Sequence, residues 1–183
     1  MSNHPELAPL TARAAQIVGE ARTLLEEEGH EALTLRALAA RLGIRAPSLY
    51  KHIPDKAALE VALIEQGLAG LGSVLHAAMK EPDPFAAVLR GYREYALANP
   101  NLYRLATAGP LARGRLAPGL EDWSGEPFFL LTGDPERAQG LWAFAHGMVI
   151  LEIDGRFPPG SNLDRTWEKG SAAFRASGGE AGE

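Results

Sequence analysis

Seven side chains between Arg45 and Lys56 carry the chemistry this sequence offers: Arg45, Pro47, Ser48, Tyr50, Lys51, His52 and Lys56. They are cations, hydroxyl and ring donors, and one rigid apolar ring. They are not a nucleophile with its base. Ser48 can bond a base edge or a phosphate, and the Pro47 ring is an apolar surface that fits a thymine methyl. Tyr50, Lys51, His52 and Lys56 can hold phosphate oxygens. Charge points the same way. Between Thr34 and Lys56 the basic residues Arg36, Arg41, Arg45, Lys51 and Lys56 stand against Asp55 alone, inside a chain whose net charge is −5. A basic patch on an acidic chain is what duplex DNA selects.

The elements that must position this set are legible around it. Leu35, Leu38, Ala39 and Leu42 recur at helical spacing, and Thr34 is a natural N-cap before them. Gly43 follows directly, where a left-handed residue can end a helix. Ile44 anchors the turn. Pro47 suits the first turn of a second, very short helix over roughly Ala46 to His52, whose Leu49 and Ile53 face inward. Pro54 breaks it, and Asp55 can cap a third helix beginning at Lys56. The pattern predicts a helix–turn–helix, which presents one exposed helix to the major groove. An ordinary helical hairpin with a solvated face would explain the leucine spacing. It would not explain the turn glycine, the short second helix, the Pro54 break and the localised charge together.

The segment LAARLGIRAPSLYKHIPDKAAL resembles the helix–turn–helix of the tetracycline-repressor (TetR) family, including Leu49-Tyr50 followed by His52, and Lys56 after the break. The likeness covers about Thr11 to Leu63. It implies DNA contacts at Thr34, Arg45, Ala46, Pro47, Ser48, Tyr50, Lys51, His52 and Lys56. It also implies an all-α fold, with an N-terminal DNA-binding domain and a C-terminal helical ligand-binding and dimerisation domain.

Composition agrees with an all-α class: Ala, Leu, Glu and Arg dominate and strand-type alternation is nearly absent. With 183 residues the chain can bury a real core. It has no cysteine, hence no disulfide framework and no thiolate metal site. No apolar run reads as a membrane span and no signal sequence is evident, so the expected location is the cytoplasm, without membrane contact. Expected boundaries are a flexible arm over 1–10, the DNA-binding domain over 11–55, the effector and dimerisation domain over 56–176, and a disordered tail over 177–183.

Thr11 can cap a first helix with Ala14, Ile17, Val18, Ala21, Leu24 and Leu25 on one face, ended by Gly29. Glu26, Glu27 and Glu28 at its end read as a solvated edge, and Arg13 and Arg22 as solvated charges. A long helix from Lys56 to about Met79 spans roughly 36 Å. Gly67, Gly70 and Gly72 inside it suggest a soft joint that transmits effector binding, with local weakness or close helix packing as the simpler reading. Asp83-Pro84 and Asp134-Pro135 each read as a cap and a helix start. Residues 109–119 form a Gly- and Pro-rich loop exposing Arg113 and Arg115, and Gly125 and Pro127 should interrupt any helix over 120–131. The helix to about Asp154 is apolar over a wide arc, which suits burial against its own domain and a partner chain. A last helix covers about 163–174.

Trp142, His146 and Gly147 resemble the tryptophan–histidine–glycine pattern of one TetR C-terminal subfamily. By that family resemblance the last two long helices form the dimer interface, with His146, Gly147, Ile150 and Trp167 the candidates. Gly147 would allow close approach. Tyr92, Tyr95, Tyr103, Trp123, Phe128 and Trp142 read as core, yet the family keeps its effector pocket among these middle helices, which makes them pocket candidates. His146 lacks ligand-spaced partners and reads as a packed histidine, so no metal and no cofactor are expected. The expected function is a homodimeric repressor. A small apolar or aromatic effector would release it from a palindromic double-stranded DNA operator. A small-molecule carrier with a vestigial helix–turn–helix is the alternative, and nothing supports an enzyme.

Overall fold

The computed structural model describes residues 4–175. The expected tail over 177–183 lies outside the described residues, as does the start of the expected arm. Among the described residues there are helices, two short 3₁₀ turns and no strand, so the chain is all-α as the composition requires. Packing groups the described residues up to Gly70 with Asn99–Glu121, and Leu71–Ala98 with the described residues from Asp122 on.

The first unit begins with α1 (Ala12–Glu28). The Thr11 hydroxyl accepts from the Ala14 N–H, and Gly29 leaves the helix at φ 83°. Next come α2 (Leu35–Arg41) and α3 (Ala46–Leu49), joined through Gly43 at φ 63°. The third helix is thus shorter than its sequence span to His52. α4 (Lys56–Ala78) starts where Asp55 Oδ1 accepts from the Ala58 N–H at 2.6 Å. Ile17, Val18, Leu24, Leu25, Leu38, Leu49, Ile53, Leu59 and Leu63 form the core. α6 (Pro100–Thr107) adds Leu102, also fully buried there.

α6 also corrects the reading of the acidic run. Glu26 is no solvated edge: its carboxylate accepts from the Asn101 N–H at 3.0 Å and the Leu102 N–H at 2.9 Å. Asn99, the N-cap of α6, makes no side-chain cap, so an acid from α1 fills the role beside the positive end of the helix. Arg22 is likewise engaged, donating to Asn99 Oδ1 at 2.7 Å.

In the second unit α5 (Pro84–Ala98) packs on α8 (Pro135–Ile153), capped by Asp83 and Asp134 as the sequence predicts. α9 (Leu163–Ser171) follows, ending in a 3₁₀ turn over Ala172–Phe174. α7 (Leu120–Thr132) overturns an expectation, because it runs unbroken through Pro127. Proline lacks the N–H that would reach the carbonyl four residues back, that of Trp123. His76 of α4 repairs the gap: its Nε2 lies 2.9 Å from Trp123 O, in a buried bond. A carbonyl only accepts, so this nitrogen carries the proton. The His76 ring also stacks on the Trp123 indole, centroids 4.6 Å apart.

The glycines of α4 favour close packing over a soft joint. A Cβ on Gly72 would come within 2.3 Å of the Trp123 ring, and one on Gly67 within 3.3 Å of the Leu102 side chain. α4 is continuous across both. The membrane expectation also needs correction. By length and composition α4 is apolar enough to cross a bilayer. Here, however, Leu59, Leu63 and Leu75 are fully buried in protein, and Glu60 and Glu65 are engaged in polar contacts.

Candidate nucleic-acid interface

The short α3 buries one side and offers the other. Leu49 and Ile53 are 0% and 4% exposed and hold the helix down on the core. Arg45, Pro47, Ser48, Tyr50, Lys51 and His52 are exposed, while Ala46 is half-buried. Tyr50 stands out at 54% exposure, a large ring with no core to enter. Thr34 caps α2, its oxygen accepting from the Ala37 N–H at 3.1 Å, and its own O–H remains available as a donor. Lys56 lies at the start of α4. Its ammonium is 3.5 Å from Glu60, itself 2.6 Å from His30. Exposed pairs of this kind are weak and exchange readily. The nine residues that the sequence singles out therefore lie on the turn, on α3 and at the two adjoining helix starts.

One cation of the basic patch is committed elsewhere. Arg41 donates from Nε to Glu20 at 2.7 Å, from Nη2 to Glu27 at 2.7 Å and from Nη1 to Glu28 at 3.2 Å. Hydrogen bonds to Glu27 and Glu20 raise its pKa further above its ordinary value. It ties α2 to α1, and its charge is spent on three glutamates. Acids at a helix C-terminus oppose the dipole, so their run at the end of α1 was a signal that a cation must come to them. Arg41→Ala is expected to weaken binding to any duplex, by loosening the hold of α2 on α1. The salt dependence of binding should stay as in the parent, because no phosphate contact is lost. Anisotropy titrations at several salt concentrations check this. A flattened slope would place Arg41 on the DNA.

Two family models cover most of the chain. Residues 17–63 match the one described as bacterial regulatory proteins, tetR family, and residues 85–174 the one described as tetracyclin repressor-like, C-terminal domain. An uncharacterized HTH-type transcriptional regulator of Mycobacterium tuberculosis is 32% identical over 164 residues, covering 80% of this chain and 73% of that protein. The chain belongs to the TetR family. It is a DNA-binding transcriptional regulator with the helical architecture of that family. A solved structure from Rhodococcus sp. RHA1, of unknown function, superposes with a TM-score of 0.76 at 26% identity, covering 90% of this chain and 94% of that one. A TetR structure from Acinetobacter baumannii AYE in complex with minocycline shares the fold, with a TM-score of 0.61 at 22% identity over 91% of this chain and 94% of that one.

The C-terminal half of this TetR-family chain departs in places from its sequence reading. The matched C-terminal description names no tryptophan–histidine–glycine subfamily. Of the six aromatics expected around an effector, Tyr92, Tyr103, Trp123 and Phe128 are buried, Tyr95 is half-buried and Trp142 is 48% exposed. Tyr92 and Phe128 meet edge to face. A cleft of about 410 Å³ opens instead between α5 and α9, lined by Phe85, Leu89, Arg93, Leu97, Trp167 and Arg175 among others, and by none of those six. Trp167, expected at a partner surface, packs inside its own unit. Its ring meets Phe144 edge to face, its indole N–H donates to Glu152, and Arg93 lies over it. His146, Gly147 and Ile150 are half-buried on α8, and nothing lies within 4 Å of a Cβ placed on Gly147. Burial lowers the His146 pKa, which keeps the ring neutral at neutral pH. No cluster of metal ligands exists among the described residues.

Proposed function

We propose that this regulator is a homodimeric repressor whose two heads read a palindromic operator and release it when a small apolar or aromatic effector binds. The observation that carries the reading is α3, with Leu49 and Ile53 anchored beneath it and Arg45, Pro47, Ser48, Tyr50, Lys51 and His52 turned outward. In that arrangement Ser48, Pro47 and Arg45 meet base edges. Thr34, Tyr50, Lys51, His52 and Lys56 hold phosphates on either side, and Ala46 lets the backbone come close. A two-fold dimer presents two such heads to two half-sites.

Dimerisation draws support from the apolar side chains that the second unit leaves in solvent. Phe129, Leu130, Trp142 and Leu151 on α7 and α8 are 41–48% exposed. Single exposed hydrophobics are ordinary, but several large ones on consecutive helices fit a partner. His146, Gly147 and Ile150 belong to that surface in this reading, and Gly147 allows two helices to approach. Family membership supports effector binding, and in this reading the domain over 56–176 houses the ligand. The cytoplasm is where such a protein meets its operator.

The deciding experiment selects bound duplexes from a random pool at about 150 mM salt, where non-specific affinity is already weakened. The protein's mass is measured in solution alongside. A palindromic motif and a mass of twice the chain are the expected results. A monomer mass, or enrichment of an undivided single site, would overturn the dimeric reading.

A further inference from the structure

We propose that the loop after α6 belongs to the DNA-reading surface and that Arg115 supplies a phosphate contact beside that of Lys56. This rests on DNA reading by α3 and the start of α4. The loop lies outside the matched helix–turn–helix region, which ends at residue 63. It nevertheless packs in the same unit as the head. Two contacts fix its course. Glu65, on α4, accepts from the Ala117 N–H at 2.7 Å. Arg113 grips Glu121 with two bonds of 2.7 and 2.8 Å, at the base of the 3₁₀ turn Arg113–Arg115.

That turn sends Arg115 toward the beginning of α4. Its Nη2 lies 3.9 Å from Asp55 Oδ1, and Asp55 is the residue immediately before Lys56. Both partners are well exposed, at 47% and 61%, so the pair is loosely held and can be exchanged. A phosphate offers a guanidinium two acceptor oxygens and a stronger bond than this one. The position also answers an electrostatic problem. Asp55 is the one acid between Thr34 and Lys56, next to the ammonium that is to hold a phosphate. Arg115 offsets its repulsion and adds a donor at the same edge. Arg113, its charge matched by Glu121, gains nothing there.

The test uses the whole chain and a fluorescein-labelled duplex of arbitrary sequence, about 30 base pairs long, titrated by anisotropy between about 50 and 200 mM potassium chloride. Arg115→Ala is expected to reduce the slope of log affinity against log salt by about 0.9 for each copy bound, as Lys56→Ala does. Arg113→Ala should leave the slope at the parent value. The same loss should appear when Arg115→Ala is made in an Asp55→Asn background, where asparagine still caps α4. Thermal melts establish that each variant is folded. A parent slope in Arg115→Ala, with Lys56→Ala still flattened, would remove the loop from the DNA and leave reading by α3 intact. A loss that disappears in the Asp55→Asn background would reduce Arg115 to a screen for Asp55 and overturn the phosphate contact. A parent protein with no salt-dependent binding would overturn the reading of the head itself.

Discussion

Gly72→Ala is expected to lower stability by about 2 kcal/mol, whereas Gly19→Ala raises it by up to about 1 kcal/mol. Both positions are helical, so the two substitutions gain the same intrinsic preference of alanine for helix. They differ in what the new methyl meets. At Gly19 nothing lies within 4 Å. At Gly72 the new carbon would stand 2.3, 2.8 and 3.0 Å from three atoms of the Trp123 ring. That ring cannot simply step aside. It is 6% exposed, and it is stacked on His76. Urea denaturation of the two variants against the parent decides the matter. A Gly72→Ala protein as stable as the parent would mean that the helix and the indole separate easily, and that the glycine serves another purpose.

A second expected result concerns the same node. His76→Leu should cost about 2 kcal/mol, chiefly because it removes the buried hydrogen bond to the Trp123 carbonyl. In a Pro127→Ala background the cost should fall well below that. Alanine restores an N–H at the position from which an α-helix bonds the carbonyl of residue 123. A double-mutant cycle measured by urea unfolding gives the coupling directly. Additive costs would show that the imidazole acts through its stacking alone.

These two positions also show where reading the sequence stopped. Caps and turns were legible because each is settled within four residues. Thr11, Thr34, Asp55, Asp83 and Asp134 all accept from the N–H three residues on. Gly43 takes the left-handed turn that its place after Leu42 required. The inner face of α1 was legible in full, since a 3.6-residue period alone defines it. Pro127 misled because its local rule is correct, and the remedy lies 51 positions earlier at His76, where no local rule looks. Glu26 and Arg22 misled in the same way: an exposed-looking charge is a solvated charge until a distant partner is known. Seven of the nine expected DNA contacts lie between Arg45 and Lys56 and could be named from type and spacing, whereas Thr34 and Ala46 were implied only by the family resemblance. The pocket and partner surfaces depend on how far-apart helices meet. That is why Trp167 could be assigned outward when Phe144, Arg93 and Glu152 enclose it.

The acid of α1 that caps α6, together with Leu102 in the core beneath it, bears on how such a regulator can be taken apart. A head cut after residue 63 loses the leucine that fills its own interior and strands Glu26 without the two N–H groups it serves. Transplanted onto a different sensor, the head would bring a hole along with its recognition helix. New specificities are therefore better grafted by exchanging the outward residues of α3 than by swapping cassettes at the family's sequence boundary. The recombination point that respects the packing is not a point at all: it is three crossovers, one near Gly70 and two that bracket residues 99–121.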